Sequence, residues 1–222
     1  MSTAPHGLRQ GDIVDHLVYA TDDLARTVAS LTEQLGVAPT PGGQHLGRGT
    51  RNELVALGRG AYLEIIGPDP DQRHHQGPMP FAIEQLEGER LVTWCARPTV
   101  PLDHVVRVIE AADGDPGEIA DMWRARPDGE ILRWRLTLTR LDHHLGPMPF
   151  LIDWLDSDHP TASLHQPVEL RRLVLHSDDH RHLARLLAIM GGDEDTRVEL
   201  EEGDPAIAAH LHTPSGEVVL RG

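Results

Sequence analysis

The feature that most constrains this fold is a pattern that occurs three times: a strand-like apolar run followed at once by an amphipathic helix. The apolar runs begin at positions 13, 91 and 169, so the pattern recurs at an even spacing along the 222 residues. Each helix is followed by short strand-like runs that turn residues separate. A unit repeated at this scale is one supersecondary module, which buries its apolar face against a neighbouring copy.

The repeat predicts an α+β fold of βαβββ modules with mixed, largely antiparallel sheets. The first module is expected at 12–75 and the second at 90–160, and the two pair into one bowl-shaped domain over 12–160. A third, degenerate module is expected at 168–222. It would either extend the sheet or pair in another chain, so a homodimer is one of its two outcomes.

The helices are predicted from apolar residues spaced three and four apart, with capping residues in front and glycine behind. They are expected at 23–35, 101–112 and 179–190. Strands that follow them are predicted at 51–57, 61–66, 118–124, 130–139, 150–155, 196–201, 207–213 and 217–221. The glycine-rich stretch 42–52 is predicted to be a tightly turning loop.

Two segments share the letters G-P-M-P-F but are predicted to differ in structure. The segment 77–84 leads into polar residues and is predicted to be a short linker helix, whereas 146–153 fits a strand. Similar local sequences adopt different structures when their tertiary surroundings differ.

Composition excludes several classes of protein. The formal net charge of −15 repels phosphate backbones and anionic lipid, which argues against nucleic-acid or membrane partners. A single cysteine, Cys95, rules out an intrachain disulfide. No apolar run reaches the roughly 20 residues that span a bilayer, and residues 1–11 lack a signal-peptide pattern, so a cytoplasmic location is expected.

Several motifs together carry a family resemblance. The first unit contains D-H-L-V at 15–18, H-x-G-x-G-T-x-N at 45–52 and Y-L-E-I-I-G at 62–67. The second contains R-P-D-G at 126–129, L-R-W-R at 132–135 and P-F-L-I-D-W at 149–154, followed by His-Pro at 159–160. Over roughly 12–160 the chain therefore resembles the glyoxalase-like branch of the vicinal-oxygen-chelate superfamily.

The resemblance implies a concave sheet with a divalent metal ion, one of Zn, Fe, Mn, Ni or Co, held by a His on the first strand and a Glu on the last. Those positions are His16 and Glu64. The residues themselves allow this, because a carboxylate buried among apolar strands requires a partner and an ion would satisfy it. The alternatives are a hydrogen bond from His16 to a backbone carbonyl, and an ion pair between Glu64 and an arginine. The candidate arginines are Arg48, Arg51, Arg59 and Arg133.

Further ligands are harder to assign, because the corresponding strand of the middle unit offers Thr93, Trp94 and Cys95 instead of a typical ligand. His45 in the H-x-G-x-G-T motif is predicted either to be the third metal ligand or to contact substrate. Asp153 is a candidate substitute ligand or, with Glu64, a catalytic residue that moves a proton.

The substrate-binding candidates are mostly aromatic or polar residues of the two paired units. Trp94, Trp134 and Trp154 lie on three predicted strands of the middle unit and would either line an apolar pocket or form core. Arg133 could bind a substrate carboxylate, and Asn52 could bind backbone or substrate. Cys95 lies in an apolar strand and is expected to be an inert thiol.

These observations support two hypotheses of different class. In the first, the chain is a metal-dependent isomerase, lyase or dioxygenase acting on a small, oxygen-rich organic substrate. In the second, it is a metal-free protein that sequesters an apolar compound, as drug-resistance members of the superfamily do.

Overall fold

The computed structural model describes residues 11–125, 131–138, 146–165 and 167–222, so the predicted turn at 126–129 lies outside it. The first two units contribute strands β1 (Val14–Thr21), β2 (Thr40–His45), β3 (Thr50–Ala56), β4 (Tyr62–Pro68), β5 (Glu89–Ala96), β6 (Glu118–Ala125), β7 (Ile131–Leu138) and β8 (Phe150–Asp153). The third unit contributes β9 (Glu169–Ser177), β10 (Val198–Glu202), β11 (Ala206–Thr213) and β12 (Gly216–Arg221). The helices are α1 (Leu24–Leu35), α2 (Leu102–Glu110) and α3 (His180–Met190), with short 3-10 helices at Pro70–Gln72, Pro80–Gln85, Pro160–Ser163 and Gly192–Glu194.

The helix boundaries follow local capping chemistry. Asp23 accepts a hydrogen bond from the Arg26 backbone N–H at the start of α1, and Gly36 ends that helix at φ 69°. Asp179 caps α3 in the same way. Among the described residues, no helix combines the length and apolar character that crossing a membrane requires.

The α+β class with βαβββ modules is confirmed by the sheet of the first two units. Its eight strands run in the order β2-β3-β4-β1-β5-β8-β7-β6. Within the first unit β1 is parallel to β4, and β1 is antiparallel to β5 where the two units meet. The edge strands β2 and β6 approach each other, so the sheet curls into a bowl.

The prediction of a loop throughout 42–52 is wrong for residues 42–45, which belong to edge strand β2. This strand pairs with β3, where Gly43 lies opposite Asn52. A Cβ atom on Gly42 would lie 2.2 Å from the Asn52 Oδ1 atom, so glycine is what allows the strand to pack against that amide.

The third unit forms a sheet of its own and does not extend the eight-stranded sheet. Its strand order is β10-β9-β11-β12, so β9 is flanked by the two strands that follow α3. In the first unit, by contrast, β1 is flanked by β4 and by β5 of the second unit. The third unit therefore repeats the element order of the other two with a different strand pairing.

One apolar core joins both sheets and all three helices. Leu17, Leu63 and Trp94 from the large sheet pack in the same cluster as Leu173 and Leu211 from the small one. A second cluster, which includes Tyr62, Trp134 and Phe150, covers the inside of the bowl. The third unit thus covers the convex face and leaves the concave face to the first two.

A buried ion pair fastens the third unit to the start of β1. The Asp195 carboxylate accepts hydrogen bonds from the backbone N–H groups of Ile13 and Val14, and Arg197 Nη2 lies 2.7 Å from its Oδ2 atom. Asp195 and Arg197 are each 2% exposed. Burial raises the pKa of Asp195, but the Arg197 hydrogen bond and charge and the backbone donors outweigh it, so the pKa lies below its usual value.

Replacing Asp195 by asparagine is expected to lower the free energy of unfolding at pH 7 by about 3–5 kcal/mol, because it leaves the Arg197 charge buried and unpaired. Because the native pKa is depressed, the carboxylate stabilises the fold above its unfolded pKa of about 3.9 and loses that effect as the pH falls further. Urea unfolding of wild type and Asp195→Asn from pH 7 to pH 3 measures this difference. Glu169→Gln, at an exposed ion pair with Arg171, should change stability by less than about 1 kcal/mol. Equal stability of Asp195→Asn and wild type at pH 7 would contradict the assignment.

Candidate active site

The inside of the bowl is a cavity open on one side, with about 930 Å³ of empty space counted out to its mouth. The polar lining residues come mainly from the first unit and the apolar ones mainly from the second. The cavity is lined by His16, His45, Arg48, Asn52, Leu54, Tyr62, Glu64, Ile66, Pro80, Phe81, Met122, Trp134, Leu136, Thr137, Leu138, Phe150, Ile152 and Trp154. A volume of this size accommodates a small organic molecule.

A bulge in β1 brings two consecutive side chains together at the cavity floor. Val14 pairs with Ala96 and His16 pairs with Cys95, so Asp15 is an extra residue in the ladder. In a regular strand Asp15 and His16 would point to opposite faces. The bulge lets the Asp15 Oδ1 atom reach His16 Nδ1 at 2.8 Å.

The His16 imidazole is held in place on several sides. It is 4% exposed, it stacks on the Tyr62 ring at a centroid distance of 4.7 Å, and the Phe150 ring meets it edge-on. Since an ionised carboxylate only accepts hydrogen bonds, His16 Nδ1 is the donor to Asp15. The Nε2 atom is therefore the one that faces the Glu64 carboxylate.

Asp15 is a fully buried carboxylate with four side-chain donors. Its Oδ2 atom accepts from Arg97 Nη1 at 2.9 Å, from His159 Nε2 at 3.1 Å and from Trp154 Nε1 at 3.1 Å. Burial raises the pKa of Asp15, but attraction to His159 and Arg97 and the hydrogen bonds from His159 and His16 outweigh it. The pKa therefore lies well below its usual value, and Asp15 is a fixed negative charge behind His16.

Glu64 lies between the two histidines of the site. Asn52 Nδ2 donates to its Oε1 atom at 2.6 Å. His45 Nε2 is 3.6 Å from Oε1, and His16 Nε2 is 3.7 Å from Oε2. His45 is oriented in turn by Thr50, whose Oγ1 lies 3.0 Å from His45 Nδ1. Each carboxylate oxygen thus faces one imidazole nitrogen.

These separations fit a shared metal ion better than a hydrogen bond. A hydrogen bond to nitrogen spans about 2.7–3.2 Å, which is shorter than either distance. Ion–ligand bonds of about 2.0–2.2 Å place two ligand atoms up to roughly 4.4 Å apart, so His16 Nε2 and Glu64 Oε2 can bind one ion together. His45 can join them only after a side-chain movement, because the three do not form a cluster within 4.8 Å among the described residues.

Another trio of the described residues meets that distance criterion, namely Asp15, His16 and Cys95. Its chemistry is unsuited to a cation. Both Asp15 oxygens already accept hydrogen bonds, one of them from the Arg97 guanidinium. Burial, together with the negative charges of Asp15 and Glu64, raises the pKa of the Cys95 thiol well above its usual value, which disfavours the thiolate that metals bind.

A profile of the glyoxalase-like domain family matches residues 14–191 of the chain. The chain belongs to the glyoxalase-like domain family. The match covers most of the sequence, and it confirms the resemblance to the vicinal-oxygen-chelate superfamily that the motifs indicated. A sequence comparison with curated proteins gives no match.

Solved structures resemble this member of the family at low sequence identity. A hypothetical protein from Staphylococcus aureus is 19% identical with a TM-score of 0.56, over 94% of this chain and 84% of that one. A Mn(II)-bound glyoxalase from Novosphingobium aromaticivorans is 12% identical with a TM-score of 0.47, over 93% and 81%. Methylmalonyl-CoA epimerase from Mycobacterium tuberculosis is 15% identical with a TM-score of 0.41, over 68% and 90%. At these identities the first likeness shows the fold alone, and the two weaker ones carry no argument here.

Several residues predicted for the site lie together in the cavity. His16, His45, Asn52, Glu64 and Trp134 all line it. Among the described residues no arginine forms an ion pair with Glu64, and its contacts are with histidine and asparagine instead.

Three predicted site residues lie elsewhere. Trp94 is fully buried in the core on the other face of β5, where its Nε1 atom donates to the Pro147 carbonyl. Arg133 is exposed, because it alternates with Trp134 along β7. Asp153 follows the cavity residue Ile152 on β8 and accepts from the Leu155 backbone N–H. These three do not line the cavity, so substrate contact by Trp94 or Arg133 and proton transfer by Asp153 are corrected.

Sequence reasoning gave no role to Asp15, although it stands in the D-H-L-V motif. It also left His159 without a role, although the family resemblance included it. The signal was the adjacency of an acid and a histidine in an otherwise apolar strand, since a buried pair of this kind needs further donors. Only the tertiary structure brings Arg97, Trp154 and His159 to the same carboxylate.

Asp15→Asn is expected to lower the free energy of unfolding by about 3–5 kcal/mol, because Arg97 and the other donors lose a buried anion. Urea unfolding at pH 7 measures the loss. Asp121→Asn is the matched control, since Asp121 is exposed and its replacement should have an effect within about 0.5 kcal/mol. The assigned role fails if the two variants are equally stable.

Proposed function

We propose that this glyoxalase-like protein is a metal-assisted enzyme acting on a small organic molecule with neighbouring oxygen atoms. His16 and Glu64 would hold the divalent ion, with His45 as the third ligand after movement. The observation that carries this proposal is the 3.7 Å separation of His16 Nε2 and Glu64 Oε2, two oriented and mostly buried ligand atoms with no direct hydrogen bond between them.

The surrounding residues hold these ligands in orientation. Asp15 fixes the His16 ring through Nδ1, in the way that a carboxylate behind a metal-bound histidine does, and Asn52 fixes Glu64 through Oε1. A divalent ion bound there would act as a Lewis acid that polarises a substrate oxygen. Ligand positions that the protein does not fill are those that substrate oxygens would take.

Glu64 is also the group best placed to move a proton. Among the described residues that line the cavity it is the only carboxylate. It would accept a proton from the carbon next to the polarised oxygen, which is the chemistry of isomerases and lyases. The apolar side chains Trp134, Phe150 and Ile152 on the facing wall would exclude water from the substrate.

The metal content of the purified protein tests this directly. Wild type is expected to bind about one equivalent of Mn, Fe, Co, Ni or Zn, and His16→Ala and Glu64→Gln should each weaken binding at least tenfold, because each removes a ligand. Elemental analysis and calorimetric titration with Mn²⁺ and Zn²⁺ measure both quantities. His212→Ala and Glu201→Gln are matched controls at exposed positions of the third unit and should leave binding unchanged. A wild type without a stoichiometric ion that also fails to bind either metal would refute the proposal.

The second candidate function is metal-free binding of an apolar compound. It is favoured by the second unit's side of the cavity, where Phe150, Ile152, Trp134 and Leu136 are apolar and provide no ligand. If it is correct, chelator-treated protein binds apolar compounds with a change in the fluorescence of Trp134 and Trp154, and Glu64→Gln binds them as wild type does.

A further inference from the structure

The cavity wall contains an arginine whose charge is poorly matched by its surroundings. Arg48 lines the cavity from the turn between β2 and β3. Among the described residues its guanidinium has a single hydrogen-bond partner, the thioether Met122 Sδ at 3.6 Å, and no carboxylate within ion-pair distance. A guanidinium has five strong donors and thioether sulfur is a weak acceptor, so most of its binding capacity is directed elsewhere.

The backbone that carries Arg48 is well anchored. Arg48 N–H donates to the His45 carbonyl at 3.0 Å, and Gly47 N–H donates to Gln72 Oε1 at 2.8 Å. Asp69 N–H donates to the Gly49 carbonyl at 2.8 Å on the other side of the turn. Arg48 therefore stands at a fixed point of the rim, where the edge strands β2 and β6 approach each other.

The wall facing this cation is apolar. Trp134, Leu136, Phe150 and Ile152 provide most of the second unit's surface in the cavity. Arg48 is the only lysine or arginine among the described lining residues, so the cavity can neutralise one negative charge away from the histidines. A guanidinium binds a planar carboxylate through two parallel hydrogen bonds.

We propose that the ligand of this cavity is an organic carboxylate with an apolar body, and that Arg48 selects it by binding the carboxylate. Arg48 is thus a specificity-determining residue on the opposite rim from the metal ligands. The inference deepens the proposed function, since it assumes that this cavity is the substrate site, but it does not require a bound ion.

The test compares one apolar acid with its neutral analogue on metal-free protein. Chelator-treated wild type is titrated with 4-phenylbutyrate and with 4-phenylbutyramide, followed by calorimetry and by fluorescence of the cavity tryptophans. The acid is expected to bind at least tenfold more tightly than the amide, since hydrogen bonds to charged groups are the stronger kind. Using protein without metal keeps the result independent of His16 and Glu64 as ligands.

Three variants make the result specific to Arg48. In Arg48→Gln the acid should lose its advantage while the amide binds as before, and Arg48→Lys should keep part of the advantage because it keeps the charge. Arg133→Gln, at an exposed arginine outside the cavity, should behave as wild type. Equal binding of acid and amide, an unchanged ratio in Arg48→Gln, or no binding of either probe at millimolar concentration would each overturn the proposal. Selective acid binding by a protein that binds no metal would uphold Arg48 and reject the metal-assisted mechanism.

Discussion

The buried carboxylate of Asp15 is the interaction on which the rest of the site depends. A charge with 0% exposure is costly, and here it is satisfied by His16, Arg97, Trp154 and His159, which come from four separate parts of the chain. Because these donors must converge, the bulge in β1, the end of β5 and the segment after β8 take fixed positions relative to one another. The same hydrogen bonds orient His16 so that its Nε2 atom faces Glu64.

The paired units divide the work of the cavity between them. The first unit supplies the two histidines, the carboxylate and Arg48, while the second supplies chiefly aromatic and aliphatic side chains. This asymmetry explains why a full set of metal ligands from both units is absent among the described residues: Cys95, Phe150 and Ile152 stand on the second unit's side of the bowl. The site can therefore polarise a substrate from one side and enclose its apolar body from the other. The third unit supports it from behind through the shared core.

How far the sequence predicts this structure depends on whether a residue's neighbours are local. The module order and the strands carrying His16 and Glu64 follow from periodicity and motifs. The face of Trp94 does not, because β5 is buried on both sides and its alternation gives no direction. The bulge at Asp15 also escapes pattern reasoning, since one extra residue reverses the order of faces. The two G-P-M-P-F segments behave as expected: the first lies in the 3-10 helix Pro80–Gln85, and the second opens strand β8.

The most direct test of the central claim is the anomalous diffraction of crystals grown with Mn²⁺. The account predicts one strong peak bonded to both His16 Nε2 and Glu64 at about 2.0–2.3 Å, with the Asp15 hydrogen bond to His16 Nδ1 retained. It would be contradicted by crystals in which no ion binds there and His16 Nε2 hydrogen-bonds Glu64 directly at about 2.7–3.2 Å, or in which the ion lies between Asp15 and Cys95.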